Sequence, residues 1–178
     1  MTNLALIGYR GTGKTTVAQA LANHLNWQWI DADVELERQA GRTIKQIFAE
    51  GGEETFRDLE TKVVAELCAG ERTIIALGGG AILRPQNRAA LRANCHTAWL
   101  TAAPTTILER IHADATTAER RPNLTAAGGL TEIEQLLAVR EPFYRECADC
   151  IVATDNRSPE SIAAEILASL DLSPGMTK

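Results

Sequence analysis

The sequence predicts an α/β domain built on a parallel sheet of about five strands. Three observations support this prediction. Short apolar segments alternate with segments of helical periodicity along most of the chain. The segment 73–77 is a continuous apolar run, which is typical of a strand covered on both faces of a parallel sheet. The glycine-rich segment 8–15 lies between an apolar run and a helical pattern, so it forms a strand–loop–helix unit.

The individual elements follow from local patterns. The predicted strands are short runs at 3–8, 27–31, 73–77, 96–101 and 150–154. The predicted helices carry apolar residues at helical spacing, at 14–26, 33–40, 44–50, 53–68, 85–93, 104–113, 131–144 and 158–170. Gly41 is expected to end one helix, and Thr43 to cap the next. Gly51 and Gly52 are expected to break the chain between two helices.

One domain is expected, over about residues 1–170. The segment 114–129 is polar, rich in small residues and without periodicity, and a long loop of this kind in a compact domain is usually functional. We interpret it as a lid that would exclude water from a reaction. Residues 171–178 are expected to form a flexible tail.

Composition and charge narrow the function. The 178 residues carry a net charge of −5, which argues against a nucleic-acid binder that relies on a broad basic surface. No apolar run reaches membrane-spanning length, and no basic leader precedes the first strand, so a cytoplasmic protein without a membrane partner is expected. Cys147 and Cys150 form the one close cysteine pair, at the end of a helix, and buried, reduced thiols are the favoured interpretation.

The segment Gly8–Thr15 has the form G-x-x-x-x-G-K-[ST], the phosphate-binding P-loop. Its glycines leave the backbone bare, so several N–H groups can converge on phosphate oxygens, and the following helix adds its positive dipole end. Lys14 can reach the outer phosphates and the Thr15 hydroxyl can bind Mg²⁺. The predicted nucleotide-binding residues of the loop are Gly11, Thr12, Gly13, Lys14, Thr15 and Thr16.

The residues after the other strands are candidates because ligands of parallel sheets bind beyond the carboxyl ends of the strands. Many P-loop ATPases have a magnesium-holding aspartate after such an apolar strand, but here Gly78-Gly79-Gly80 follows 73–77. Asp31 is therefore expected to serve Mg²⁺. Asp33 is expected either to contact an acceptor hydroxyl or to cap the helix that follows, and the sequence leaves both open.

Several arginines are candidates for anionic groups. Arg57 and Arg140 would suit a carboxylate if they converge near Asp33, which the sequence alone cannot show. Arg121, within the expected lid, would reach the phosphates when the lid closes; its neighbour Arg120 is the alternative.

The motifs, taken together and in order, resemble the shikimate kinase family over about residues 3–170. They are Gly-x-x-Gly-x-Gly-Lys-Thr at 8–15, Asp31-x-Asp33, Phe56-Arg57-x-x-Glu60, Gly78-Gly79-Gly80, Arg121-Pro122 and Arg140-x-Pro142-x-Tyr144. The resemblance implies a three-layer P-loop fold like that of nucleoside monophosphate kinases, with a mobile lid and an acceptor-binding region at about 32–60. It also implies ATP-dependent phosphorylation of the 3-hydroxyl of shikimate, in the pathway to chorismate and aromatic amino acids.

The resemblance assigns roles to individual residues. Catalysis would rest on Lys14, Asp33 and Arg121, and Mg²⁺ would be held by Thr15 and Asp31. The nucleotide would further contact Arg110 and Arg157, near adenine. Glu60 would orient Arg57, while Phe48 and Phe56 would wall the pocket. Shikimate would be bound by Asp33, Arg57, Gly79, Gly80 and Arg140.

Two features depart from the family pattern. The expected lid is a few residues longer than is usual, and Asn123-Leu124 follows Pro122 where two apolar residues are common. Two other functions remain open at this point: another small-molecule kinase, such as a gluconate kinase, and a non-catalytic nucleotide-binding module. A monomer that binds shikimate and ATP, with no nucleic-acid partner, is expected.

Overall fold

The computed structural model describes residues 3–113 and 129–172. Its centre is a sheet of five parallel strands in the order β2-β3-β1-β4-β5. The strands are β1 (Asn3–Ile7), β2 (Gln28–Asp31), β3 (Thr73–Ala76), β4 (Cys95–Thr101) and β5 (Cys150–Ala153). The α/β prediction with about five strands is therefore confirmed.

Seven α-helices connect or follow these strands in the described residues. They are α1 (Lys14–Leu25), α2 (Ala32–Ala40), α3 (Ile44–Ala69), α4 (Pro85–Asn94), α5 (Pro104–Ala113), α6 (Gly129–Cys147) and α7 (Pro159–Ser169). A single 3₁₀ turn at Ala81–Leu83, which the sequence patterns did not predict, precedes α4. Among the described residues, no helix combines the length and the apolar composition needed to cross a membrane.

The helices cover both faces of the sheet, because β1 sends alternate side chains to opposite sides. Leu4 and Leu6 lie in one buried cluster, with side chains of α1 and α7. Ala5 and Ile7 lie in another, with side chains of α3, α4 and α6. All four residues are essentially inaccessible to solvent. The result is three layers with the sheet in the middle.

The region after β2 has a small core of its own. Leu36 of α2 packs there against Ile44, Ile47, Phe56 and Val63 of α3. Thr43 caps α3 in a capping box, in which its hydroxyl accepts from the Gln46 N–H and the Gln46 side chain accepts from the Thr43 N–H. The predicted N-cap is thus confirmed.

The predicted boundaries mostly hold to within two residues. The break predicted at Gly51 and Gly52 is confirmed: α3 consists of two helical segments that meet at a kink, where Gly52 has a non-helical backbone (φ 69°, ψ −171°). α6 begins at Gly129 and not at Thr131, so the lid prediction is corrected at that end, and 114–128 lies outside the described residues. Leu172 still packs on the core, and the predicted tail beyond it lies outside the described residues.

The cysteine prediction is confirmed in part. All four cysteines are free thiols, and Cys147 is buried at the end of α6, as expected for its position. Cys150, at the start of β5, is partly exposed, because an edge strand is covered on one side only.

Candidate functional site

A cavity of about 680 Å³ opens at the carboxyl ends of the strands. This is the edge at which ligands bind in parallel α/β sheets. Its wall brings together residues that follow β1, β2, β3 and β5. Of the sequence-predicted site residues, the wall contains Gly11, Thr12, Gly13, Lys14, Thr15, Thr16, Asp31, Asp33, Gly79, Arg110 and Arg157.

The loop between β1 and α1 can form only because of its glycines. Gly8, Gly11 and Gly13 have φ values of 140°, 79° and 86°, a range that side-chain-bearing residues rarely adopt. A Cβ atom on Gly8 would also overlap the carbonyl oxygen of Leu100 at the end of β4. Gly13 precedes α1 without a side-chain cap, so the first N–H groups of the helix are left for a ligand at the cavity.

Lys14 lies across this loop. Its ammonium donates hydrogen bonds of 2.8 Å to the carbonyls of both Gly8 and Tyr9. The Thr12 hydroxyl donates to the same Tyr9 carbonyl at 2.8 Å, which holds the loop from the inside. The positive charge of Lys14 is thereby kept at the centre of the phosphate loop.

Thr15 and Asp31 meet at the end of β2. The Thr15 hydroxyl donates to Asp31 Oδ2 at 3.2 Å, while Asp31 Oδ1 accepts from the backbone N–H groups of Asp33 (3.0 Å) and Val34 (3.4 Å). Asp31 is therefore the N-cap of α2. The alternative that Asp33 caps this helix is wrong, because Asp33 is already the second residue of α2; it also lines the cavity.

The same pair fits a magnesium ion. A hydroxyl and a carboxylate are hard oxygen donors, and both line the cavity beside the phosphate loop. The described residues contain no group of three or more His, Cys, Asp or Glu side chains that could hold a metal ion. A cation here would thus keep most of its ligands as water and phosphate oxygens, which is how Mg²⁺ is usually bound beside a nucleotide.

The triple glycine after β3 lies against the phosphate loop and two arginines. A Cβ atom on Gly79 would lie 3.3 Å from the Gly8 carbonyl oxygen and 3.5 Å from Arg140 Nη1. A Cβ atom on Gly80 would lie 2.7 Å from both terminal nitrogens of Arg57. Two guanidinium groups, one from α3 and one from α6, therefore converge on this turn, and a side chain at Gly80 would require the Arg57 guanidinium to move.

Two ion pairs, one with a buried and one with an exposed carboxylate, hold Arg57 in place. Its guanidinium donates to Glu60 at 2.7 Å and to Glu53 at 3.2 Å, and Glu60 is only 4% exposed. Burial alone would lower the pKa of Arg57, but the attraction and hydrogen bonds of Glu60 and then Glu53 outweigh it and raise that pKa above its ordinary value. Arg57 therefore keeps its charge although it is largely buried.

The two predicted pocket phenylalanines stack on each other. The ring centroids of Phe48 and Phe56 are 4.8 Å apart, and the Arg57 guanidinium lies 5.1 Å from the centre of the Phe56 ring. The cavity wall, however, includes neither phenylalanine, nor Arg57, Gly80 or Arg140. Among the described residues, Arg57 and Arg140 instead contact the triple-glycine turn, of which Gly79 lines the cavity.

At the β5 side, Arg110 and Arg157 border the cavity. Arg110 donates to the hydroxyl and carbonyl of Thr154, both at 2.9 Å, and to the carbonyl of Gly11 at 3.3 Å. Arg157 donates to the carbonyls of Ala153 and Ser161 and pairs with Glu165 at 2.6 Å. The two arginines thus frame the side of the phosphate loop that faces away from Arg57 and Arg140.

Sequence reasoning missed part of the site. Arg10 lines the cavity and forms a 3.1 Å ion pair with Glu132, a carboxylate that is 1% exposed. Tyr9 is buried beside them, and burial raises the pKa of its hydroxyl. A charged residue at a variable position of the P-loop was a usable signal for Arg10, whereas nothing local marks Glu132. The predicted lid residues Arg120 and Arg121 lie outside the described residues.

A P-loop beside a magnesium-suited Thr–Asp pair, facing a turn on which two arginines converge, defines a kinase that phosphorylates a small molecule. The comparisons with known proteins specify which kind. A model of the family described as "Shikimate kinase" matches residues 10–171. The chain belongs to the shikimate kinase family.

Relatives named as shikimate kinases match over nearly the full length of the chain. A shikimate kinase of Symbiobacterium thermophilum is 42% identical over 168 residues, which are 94% of this chain and 95% of that protein. A shikimate kinase of Pseudomonas syringae pv. syringae is 42% identical over 170 residues, 96% of each chain. The structure of shikimate kinase from Acinetobacter baumannii in complex with shikimate matches with a TM-score of 0.89 and 34% identity, over 99% of this chain and 96% of that one.

For the alternative, a gluconate kinase, the comparisons show a similar fold and no more. A gluconokinase structure from Sinorhizobium meliloti matches with a TM-score of 0.62 at 16% identity, over 96% of this chain and 91% of that one. The non-catalytic module receives no support, since the chain belongs to a family of enzymes.

Proposed function

We propose that this chain transfers the γ-phosphoryl group of ATP to the 3-hydroxyl of shikimate, giving shikimate 3-phosphate and ADP, in the pathway to chorismate. The observation that carries the proposal is the convergence of Arg57 and Arg140 on Gly79 and Gly80, directly against the phosphate loop. Two fixed guanidiniums suit the carboxylate of a small acid, since arginine can pair with a carboxylate through two parallel hydrogen bonds.

On the donor side, the phosphates of ATP would occupy the loop between Gly8 and Thr15. The Lys14 ammonium now bonds two neutral carbonyls, and phosphate oxygens would be stronger, charge-assisted acceptors. The uncapped N–H groups at the start of α1 would bind the same phosphates. Arg110 and Arg157 would contact the nucleotide beyond the loop.

Thr15 and Asp31 would hold Mg²⁺, with Asp31 acting mainly through water. Bound Mg²⁺ would neutralise charge on the transferring phosphoryl group and its neighbour. Asp31 is already fixed by its capping bonds to α2, so its second oxygen is directed at Thr15 without further ordering. The proposal extends to a cytoplasmic monomer that binds no nucleic acid or membrane.

On the acceptor side, Asp33 would orient the reacting hydroxyl and accept its proton, while Arg57, Gly79, Gly80 and Arg140 bind shikimate. In-line transfer requires little covalent chemistry from the protein, so positioning and charge stabilisation supply most of the catalysis. Lys14 would stabilise the developing charge. Arg121, from the proposed lid at 114–128, would add a second cation.

A coupled assay of ADP release tests the proposal. The wild-type chain is assayed with ATP and Mg²⁺ against shikimate, gluconate and nucleoside monophosphates. Of these acceptors, only shikimate is expected to cause rapid ADP release. ADP release that does not depend on shikimate, or that is faster with gluconate, contradicts the proposal.

The variant Lys14→Ala tests the phosphate-loop assignment. Shikimate-dependent turnover should fall by about 10²-fold or more, because a cation that stabilises transition-state charge is worth several kcal/mol. The fold should survive, since Lys14 is partly exposed at the cavity. Far-ultraviolet circular dichroism checks the fold, and near-normal turnover in a folded variant would refute the assignment.

A further inference from the structure

Tyr144 reaches the acceptor side of the site from the buried core, where its hydroxyl bonds the carbonyl of Gly79. It lies one helical turn after Arg140 on α6, so both side chains project from the same face. The Tyr144 hydroxyl donates to the carbonyl of Gly79 at 2.6 Å, and Arg140 Nη1 donates to the same oxygen at 3.3 Å. The motif Arg140-x-Pro142-x-Tyr144 thus has a second member that reaches the triple-glycine turn.

The Tyr144 side chain is entirely inaccessible to solvent. Its ring stacks on Trp99 of β4, with centroids 5.4 Å apart, within the buried cluster under the sheet. A buried tyrosine hydroxyl requires a hydrogen-bond partner, and the distance to Gly79 is short for such a bond. The hydroxyl is therefore a fixed donor that the turn must accommodate.

Fixing the Gly79 carbonyl also fixes the backbone around it. The peptide unit is planar and trans, so a carbonyl directed at Tyr144 directs the N–H of Gly80 to the opposite side. Glycines have the softest backbones, so the turn at 78–80 has little intrinsic preference for this orientation. The hydroxyl supplies from the core the preference that the glycines lack.

The hydrogen bond from Tyr144 to Gly79 also affects Arg140. At 3.3 Å the Arg140 bond to Gly79 is long, and its guanidinium also lies 5.5 Å from the centre of the Tyr9 ring. Because Tyr144 satisfies the carbonyl with the shorter bond, Arg140 can exchange its weaker bond for a substrate carboxylate without leaving a buried acceptor unpaired.

We propose that Tyr144 is a positioning residue for the acceptor: through the Gly79 carbonyl it sets the triple-glycine turn and releases Arg140 for the carboxylate. The proposal rests on the proposed shikimate kinase function. Tyr144 is not a catalytic residue, because it acts only through Gly79 and Arg140. Its loss should therefore weaken acceptor binding and leave the phosphoryl transfer step and ATP binding unchanged.

The variant Tyr144→Phe removes the hydroxyl and keeps the ring against Trp99, so the protein should fold. The KM for shikimate should rise about fivefold, the factor that corresponds to one hydrogen bond of about 1 kcal/mol. The kcat should stay within about twofold of wild type, and the KM for ATP should not change. Isothermal titration with shikimate should show the same loss of affinity.

Trp99→Phe is the matched control, because it trims the stacking partner and leaves the hydroxyl in place. It should lower the melting temperature at least as much as Tyr144→Phe without raising the KM for shikimate. In an Arg140→Ala background, Tyr144→Phe should have a smaller effect on that KM, since the two residues act on one carbonyl.

A wild-type KM for shikimate in Tyr144→Phe overturns the inference. So does an equal rise of that KM in Trp99→Phe, which would assign the effect to loosened packing. A wild-type chain without shikimate-dependent ADP release contradicts the proposed function itself, and this result is obtained before any variant is made.

Discussion

Asp31 shows at the residue scale how one side chain serves both the fold and the site. One carboxylate oxygen caps α2 and the other accepts from Thr15 at the cavity. Capping holds the carboxylate in a single orientation, so the oxygen that faces the cavity is positioned before any ligand arrives. A residue that caps a helix at a strand end is in this way well suited to a magnesium site.

The two duties of Asp31 can be separated by substitution. Asparagine caps helices about as well as aspartate, so Asp31→Asn should leave the free energy of unfolding unchanged. Asp31→Ala should lower it by about 1 kcal/mol. Both variants lose the charge, so the Mg²⁺ concentration for half-maximal activity should rise on the order of tenfold to a hundredfold. Urea unfolding and a Mg²⁺ titration of the assay measure the two effects. An unaltered Mg²⁺ requirement in Asp31→Asn would exclude this carboxylate from the metal site.

The thiols of Cys147 and Cys150 offer a second test at this scale. Burial first, and then the nearby carboxylates Glu146 for Cys147 and Asp149 and Glu165 for Cys150, raise the pKa of each thiol to about 11. At pH 8 only about one thiol in a thousand is then a thiolate, and the thiolate is the reactive form. A redox role for the pair is accordingly disfavoured.

The reaction of the native protein with a thiol-specific disulfide reagent at pH 8 should therefore be slow. About four thiols should react rapidly only after unfolding in guanidinium chloride, in keeping with the four cysteines of the chain. Cys150→Ser identifies the contribution of the partly exposed thiol. Rapid reaction of Cys147 and Cys150 in the folded protein would contradict their raised pKa values.

At the scale of elements, the kink of α3 positions the acceptor side. Both segments of α3 contribute to the small core with α2, and the segment after Gly52 also carries Arg57 and Glu60 to the triple glycine. Gly52 has φ 69° and ψ −171°, a combination that is essentially restricted to glycine. Gly41, at the end of α2, has φ 64° and ψ 17°, the ordinary left-handed region.

This difference predicts unequal costs for two alanine substitutions. A Cβ atom at either glycine would have no neighbour within 4 Å, so a steric clash contributes to neither cost. Gly41→Ala should cost about 1 kcal/mol of unfolding free energy, whereas Gly52→Ala should cost about 2–3 kcal/mol. Urea unfolding measures both costs. Equal costs would mean that α3 relaxes its kink without penalty.

At the scale of the whole molecule, the site is formed by the carboxyl edge of the sheet and not by any single helix or strand. The phosphate loop, Asp31, the triple glycine and Thr154 lie at the carboxyl ends of four different strands. They meet because all five strands run parallel. α3 and α6 then add their arginines from one face of the sheet. A ligand that bridges these parts should stabilise the native state as a whole.

Shikimate should therefore raise the melting temperature even without nucleotide. At one hundred times its Kd a ligand adds about 2.7 kcal/mol to the unfolding free energy, which corresponds to about 5–10 °C for a domain of this size. Gluconate at the same concentration is the control and should have no effect. A thermal shift measured by intrinsic fluorescence tests this, and equal shifts from both acids would contradict a shikimate-selective pocket.

The sequence by itself determined the α/β class, the order of elements, the phosphate loop and the identity of the candidate residues. The class, the elements and the loop depend on local physics: the period of apolar residues, the caps of helices and the backbone freedom of glycine. Other candidates, such as Arg110 and Arg157, were implied by the resemblance of the ordered motifs to the shikimate kinase family. Tertiary structure alone decided the strand order, the pairing of Thr15 with Asp31, and the convergence of Arg57 and Arg140 on Gly79 and Gly80. Tyr144 was visible in a motif, but its bond to Gly79 was not, because contacts between residues far apart in the chain depend on how the layers pack.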